Sequence, residues 1–317
     1  MGRFLAPADG RLNSSVALPR AAAIGSERPV FFDLSARVKL RVTGGDAFRF
    51  LNGQITNNLG KANASAAIQA SILNAKGKLC AHVFLSKENE ETFLLDADSE
   101  LREELPLRLD RYIIADDVRI EDVTEKFSIF HFFGESPPTL PGSIRAIAAN
   151  RIGSAGWDVW SASDAAPEIR RQSANGFDLC DEACAEVRRI EQGIPRWGRE
   201  LTGEIIPVEA NLEESSIDYA KGCYIGQEII SRMKISGQKN KSLCGLISRS
   251  GAPLQPGVRL TSATDSEKDI GWITSATKSA RVEKEIALAY VKRGSNADGT
   301  QLQAAGIPVQ VTALPFV

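Results

Sequence analysis

Beyond Ile235 the sequence changes character, and that change limits the possible folds more than any other feature. Short apolar runs rich in β-branched residues recur at 243–248, 258–261, 270–276, 286–291 and 309–314, separated by Gly251, Pro253, Pro256, Gly257 and Asn296. Segments this short cannot bury an apolar face alone, so they must pair with one another. The spacing fits an all-β module the size of a small barrel, with its boundary near Gly237.

Upstream the pattern is mixed. A loop at 31–35 leads into an alternating strand at 38–43, which Gly44 and Gly45 break. Asp46 then caps a short helix carrying Ala47, Phe48, Phe50 and Leu51, which stops at Gly53. Strands at 71–73 and 78–85 flank a turn at 74–77, and a third follows at 92–95. Pro106 is expected to interrupt a helix beginning at Ser99. Further strands fall at 118–123, 127–133 and 157–160, with a proline-containing loop at 134–142. The clearest helix spans 181–192, ended by Gly193 and Pro195. Cys180, Cys184, Val187 and Ile190 share one of its faces. Two thiols without further Cys or His nearby make no zinc site, so a packed face is expected there, and no metal centre. By the residues alone the chain reads as α+β followed by all-β.

The densest chemistry lies in Lys221-Gly222-Cys223-Tyr224-Ile225-Gly226-Gln227-Glu228. Ile217, Tyr219 and Ala220 read as the last turn of a short helix stopped at Gly222, and a second helix enters through Gly226 at Gln227. That places Cys223 in a tight loop near a helix N-terminus and two residues from Lys221. A cation and the positive end of a helix both favour a thiolate. A free cysteine is otherwise a small buried hydrophobe. The flanking glycines and polar neighbours weigh towards a functional thiol.

Bulk properties exclude several classes. A net charge of -2 and a pI near 5.9 give no electrostatic case for direct nucleic-acid binding. No apolar run approaches a membrane span in length. Five scattered cysteines argue against a disulfide scaffold and for a reducing compartment, with cytoplasm as the expectation. Residues 1–30 carry Arg3, Arg11 and Arg20, but Asp9, Glu27 and the prolines spoil a transit-peptide pattern. A flexible lead-in is expected.

The octapeptide at 221–228 resembles the signature of the YgfZ family, folate-binding proteins that support iron–sulfur clusters and share a fold with the aminomethyltransferase T-protein of glycine cleavage. The stretch 50–59, Phe-Leu-Asn-Gly-Gln-Ile-Thr-Asn-Asn-Leu, resembles the same group. The resemblance implies the three-domain α+β fold of that group. Residues 31–236 would form a folate-binding core of two intertwined subdomains, with an insert at roughly 125–180, and residues 237–317 a C-terminal β-barrel. It implies tetrahydrofolate or a derivative as cofactor. As partners it implies iron–sulfur assembly proteins or client enzymes, among them tRNA-modifying ones.

Residue by residue, the resemblance gives Cys223 the chemical role, supported by Lys221, Gly222, Tyr224, Gly226, Gln227 and Glu228. The T-protein run Gly-Gly-x-x-Asp-Asp, which holds the catalytic aspartate, aligns with Gly77 to His82, so Ala81 and His82 stand in the acid positions. That departure counts against glycine-cleavage activity. His82 is open between an acid–base role and a structural one. Asp96 matches a folate-contacting asparagine, and Arg189 matches the arginine of an Arg-Leu-Glu-x-Gly run. Ser154 replaces a folate-touching glutamate, while Trp157 is open between a wall for the ring and a core residue. Two functions follow: a folate-binding protein for assembly or repair of iron–sulfur clusters, or a folate-dependent one-carbon transferase, towards which the T-protein-like Asp33-Leu34-Ser35 leans. A noncatalytic interaction module is the third reading.

Overall fold

The computed structural model describes residues 29–263 and 267–317; almost all of the expected lead-in lies outside the described residues. The chain runs through β1 (Val30–Asp33), β2 (Val38–Thr43), α1 (Ala47–Gln54), β3 (Ile68–Leu73), β4 (Leu79–Asn89), β5 (Thr92–Ala97), α2 (Glu104–Asp110) and β6 (Arg119–Asp122). Next come β7 (Phe127–Phe133), β8 (Ser143–Asn150), β9 (Ala155–Ala162), α3 (Ala166–Ser173), β10 (Asp178–Leu179) and α4 (Glu182–Glu191). After α5 (Glu213–Ser216) and α6 (Gln227–Ser236), the last strands are β11 (Lys241–Ser248), β12 (Arg259–Ser262), β13 (Asp269–Ser279), β14 (Lys284–Lys292), β15 (Gln301–Ala304) and β16 (Ile307–Thr312).

Strand alternation decides which side chains meet. In the sheet ordered β3-β4-β5-β2-β6, Val38, Leu40, Val83, Leu85, Phe93 and Leu95 point to one face and bury themselves against Leu51 of α1 and Leu105 and Leu109 of α2. The other face therefore carries the intervening residues. Its register aligns Gln69, Phe84, Asp96 and Lys39 in one row across four strands, with Ser71 opposite His82 in the neighbouring row. The second sheet, ordered β10-β1-β7-β9-β8, packs Phe31, Phe130, Phe132 and Val159 against Ala166 and Ile169 of α3. Its opposite face presents Ile129, Ile147 and Trp160, which meet Leu94 of the first sheet. The polar residues of both sheets are thus trapped in the space between them, where they must find partners.

Strands β11-β14-β13-β12-β15-β16 close into a six-stranded barrel. Closure removes the exposed strand edges that short strands otherwise leave. The barrel docks on α4. The Arg189 Nη2 donates to Ser275 Oγ at 2.7 Å, the Ser279 Oγ donates to Glu191 at 2.6 Å, and the Phe316 N–H donates to the Glu191 carbonyl at 2.8 Å.

Several expectations need correction. Cys180 and Cys184 do not merely pack on one face; their sulfurs are bonded. Both sit in the same apolar cluster, and a spacing of four residues across a helix start brings the side chains together. Ile217 is extended and not helical, because α5 ends at Ser216 and Gly222 stops no helix. Pro106 lies in the first turn of α2, where a missing N–H costs nothing, so it opens that helix and does not break it. The segment at 31–35, expected as a loop, contributes to β1.

Candidate functional site

Between the two sheets, α4 and the C-terminal tail lies a cavity of about 1130 Å³. Its floor comes from the polar faces just described. The His82 ring stacks on Phe84 at 5.7 Å between centroids with planes 13° apart. The Arg151 guanidinium lies 3.7 Å from the centre of the Phe84 ring, and Arg37 lies at 5.7 Å. Imidazole, phenyl and guanidinium thus form one flat-sided stack, a surface suited to a planar heterocycle.

Behind this stack the buried carboxylates are paired with arginines. Arg151 grips Asp96 with both Nη atoms, at 2.8 and 2.7 Å, and Asp158 with Nε and Nη2, at 2.9 and 2.6 Å. Arg37 adds a third cationic contact to Asp96 at 2.5 Å and holds Asp98 at 2.9 Å. Burial alone would raise both buried acids. Arg151 and Arg37 outweigh it at Asp96, and Arg151 with His131 holds Asp158 at about 2. The His131 Nδ1 donates to Asp158 at 2.8 Å. Gly156 makes room for that ring, since a Cβ there would fall 2.7 Å from its Cε1 and Nε2. Burial also pushes His82 down to about 4, so its imidazole is neutral at physiological pH.

The residues singled out from the sequence separate into groups. His82 and Arg189 line the cavity, and Asp96 lies immediately behind its floor. Asp96 is no free acceptor, because two arginines share it. All five N–H donors of Arg189 meet protein acceptors: Glu186 twice, the Ile194 carbonyl, Glu200 and Ser275. Its role is a clamp between α4, the segment after it and the barrel. Trp157 is not part of the wall. It is opposite Phe132 in the register and on the other face of β9 from Asp158, as alternation requires. Ser154 is exposed in the turn between β8 and β9. Arg37, Phe84, His131, Arg151 and Asp158 were missed. The sequence offers one signal for them: Phe84 follows His82 by two in a strand, and so shares its face.

Cys223 stands apart from the cavity. It is exposed in the loop before α6 and does not line the cavity, although Tyr219, four residues earlier, does. The loop is held rigidly. The Lys221 Nζ donates to the carbonyls of Asn52 and Ile55 at 2.5 and 2.6 Å, capping the C-terminal end of α1. It also lies 5.1 Å from the centre of the Tyr224 ring, and burial lowers the amine to about 8. The charge expected to act on the thiol is thus committed to backbone. The Ile225 N–H donates to Gly53 at 3.2 Å. Gly226 adopts φ +84°, and a Cβ there would come within 2.6 Å of the Asn74 carbonyl. Gly222 is exposed, while Gln227 and Glu228 open α6, with Glu228 paired to Arg232 on the surface.

Among the described residues no cluster of three or more His, Cys, Asp or Glu could hold a metal ion, and no helix is long and apolar enough to cross a membrane.

Known proteins of related sequence and shape bear on this arrangement. The family described as the glycine cleavage T-protein C-terminal barrel domain matches residues 241–317. An iron–sulfur cluster assembly factor IBA57 homolog, mitochondrial, from Dictyostelium discoideum is 26% identical over 246 residues, covering 66% of this chain and 60% of its own. The chain therefore spans less than two thirds of that relative's length. An aminomethyltransferase from Streptomyces avermitilis is 24% identical, with 90% of this chain and 85% of its own covered. The crystal structure of the glycine cleavage system aminomethyltransferase T from Bartonella henselae superposes with a TM-score of 0.79 at 17% identity, covering 92% of this chain and 86% of that one. The class is defined by these matches and the closed barrel: a protein of the aminomethyltransferase T-protein fold with the C-terminal barrel domain of that family.

Proposed function

We propose that this chain is a folate-binding protein that supports the assembly or repair of iron–sulfur clusters in the cytoplasm. Tetrahydrofolate or a derivative occupies the cavity, and Cys223 is the working thiol. Its partners are assembly proteins or client iron–sulfur enzymes, with tRNA-modifying enzymes among the beneficiaries. Sequence similarity to an iron–sulfur cluster assembly factor supports the cellular role. The stack of His82, Phe84 and Arg151 supports a flat pterin ring against the floor.

One observation carries the preference over aminomethyl transfer: the acids of the cavity floor are already neutralised, whereas an exposed thiol is displayed on a rigid loop outside it. Asp96 and Asp158 are locked by Arg151, Asp98 is shared with Arg37, and His82 is neutral. The carboxylates are held by arginine, and burial makes the neutral His82 imidazole, at about 4, a weak base for taking a proton from an aminomethyl donor. The thiol of Cys223, in contrast, meets solvent and partners directly.

Titrating tetrahydrofolate against the protein and following tryptophan fluorescence tests the ligand; saturable quenching is expected, and none would refute it. Complementing a strain that lacks the gene with Cys223→Ala tests the thiol. Loss of iron–sulfur enzyme activities is expected while tetrahydrofolate binding stays intact, and full complementation would refute the role of the sulfur.

A further inference from the structure

The cysteine pair at the start of α4 takes no part in the function just proposed. Cys180 and Cys184 are bonded across four residues, whereas Cys80, Cys223 and Cys244 are free. The pair straddles Asp181, the N-cap of α4, whose Oδ1 accepts the Cys184 N–H at 2.9 Å. That first turn is already capped. A ring this small removes little entropy from the unfolded chain, because cross-link stabilisation grows with loop length. The bond is a weaker staple than one closing a long loop, but it still ties the first turn of α4 to the residue before its cap. In a reducing compartment, disulfides that do form are usually transient and redox-sensing.

Its position gives it something to sense. Both cysteines are buried, 4% and 7% exposed, in an apolar cluster with Phe32, Leu34, Ile152 and Ala185. Those same four residues line the cavity, so the sulfurs form the layer behind its wall. Glu182 and Glu186 of the same helix also face the cavity, and Glu186 holds the Arg189 clamp. With the sulfurs this buried, attack by a reductant requires the cluster to open, and a molecule filling the cavity holds the four wall residues of that cluster in place.

We propose that Cys180 and Cys184 are a reversible thiol–disulfide couple in the cavity wall, and that its redox state and the occupancy of the cavity control each other. Reduction takes two electrons and two protons from a small dithiol. One thiolate of the reductant attacks a cysteine sulfur and breaks the S–S bond, giving a mixed disulfide. Its second thiolate then displaces the remaining cysteine, leaving two protein thiols and a cyclic disulfide. Linkage is reciprocal: a ligand that disfavours reduction binds the oxidised protein more tightly by the same factor.

The occupancy arm rests on the folate reading; the redox arm does not. The whole protein is equilibrated in buffers of reduced and oxidised dithiothreitol, quenched under denaturing conditions with a maleimide, and weighed. Three reactive thiols are expected in oxidising buffer and five in reducing buffer. Amide exchange over 182–191 should quicken about tenfold on reduction, and the double variant Cys180→Ser/Cys184→Ser should exchange at the fast rate in both buffers. Saturating tetrahydrofolate should move the midpoint towards the disulfide, with affinity falling at least about threefold on reduction. Five thiols in every buffer, or exchange indifferent to redox state, overturns the couple. A midpoint unmoved by bound tetrahydrofolate overturns the linkage. If tetrahydrofolate binds in neither buffer the folate reading fails, and the thiol count and exchange rates alone decide the couple.

Discussion

At the scale of single residues, the cavity floor is a lesson in how burial and pairing set protonation. His82 is free in the unfolded chain to titrate near 6.5, but its folded value is about 4. The unfolded state therefore binds more protons between those values, and stability should fall as pH drops through that window. The loss should reach about 3 kcal/mol at pH 4. Urea unfolding at pH 7 and pH 5 measures the slope, which the substitution His82→Gln should flatten. Asp158 acts lower on the scale. Its value is depressed to about 2, so its contribution is complete above the ordinary carboxylate range and is lost only in strong acid. Replacing Arg151 by Met leaves Asp96 with Arg37 alone and Asp158 with only the His131 hydrogen bond, and should cost about 3–5 kcal/mol. Chemical denaturation checks this, and a loss below 1 kcal/mol would mean that Asp96 and Asp158 find other partners.

Among the elements, the loop from Lys221 to Gly226 shows why a glycine and a lysine flank an exposed cysteine. The lysine ties the loop to the end of α1, and the glycine lets it press against the turn after β3. Gly226→Ala combines a strained backbone with a collision against the Asn74 carbonyl, and should destabilise by about 1–3 kcal/mol. It should also change the rate at which Cys223 reacts with iodoacetamide, measured by mass spectrometry at fixed pH. An unchanged rate together with unchanged stability would show that the loop does not need this conformation. Lys221→Met should weaken the same anchorage, and more so than Lys221→Arg, which keeps the charge.

For the whole molecule, α4 is the joint between the sheets and the barrel. Arg189, Glu191 and Glu200 reach Ser275, Ser279 and the backbone of the C-terminal tail, and the Tyr290 hydroxyl donates to the Glu200 carbonyl at 2.9 Å. Calorimetry should therefore show a single cooperative transition. Arg189→Met leaves Glu200 buried without its cation, and should both lower the transition and split it into two. One sharp transition at an unchanged temperature would refute the joint.

What the sequence determined by itself was local: the short strands of the barrel, the helix at 181–192 with its Gly193 stop, and the helix entry through Gly226. Each follows from periodicity or from a residue's own backbone preference, which neighbours in the chain already express. β15 escaped notice because Gln301-Leu302-Gln303-Ala304 carries only two apolar residues, and pairing on both sides makes it a strand. The tertiary structure alone decided the site. That Arg151 would lock Asp96 and Asp158, that Arg189 would be fully engaged, and that Trp157 would face away from the cavity depend on register and on two sheets meeting. Burial and charge pairing act across space between residues far apart in sequence, so no stretch of the chain carries them on its own.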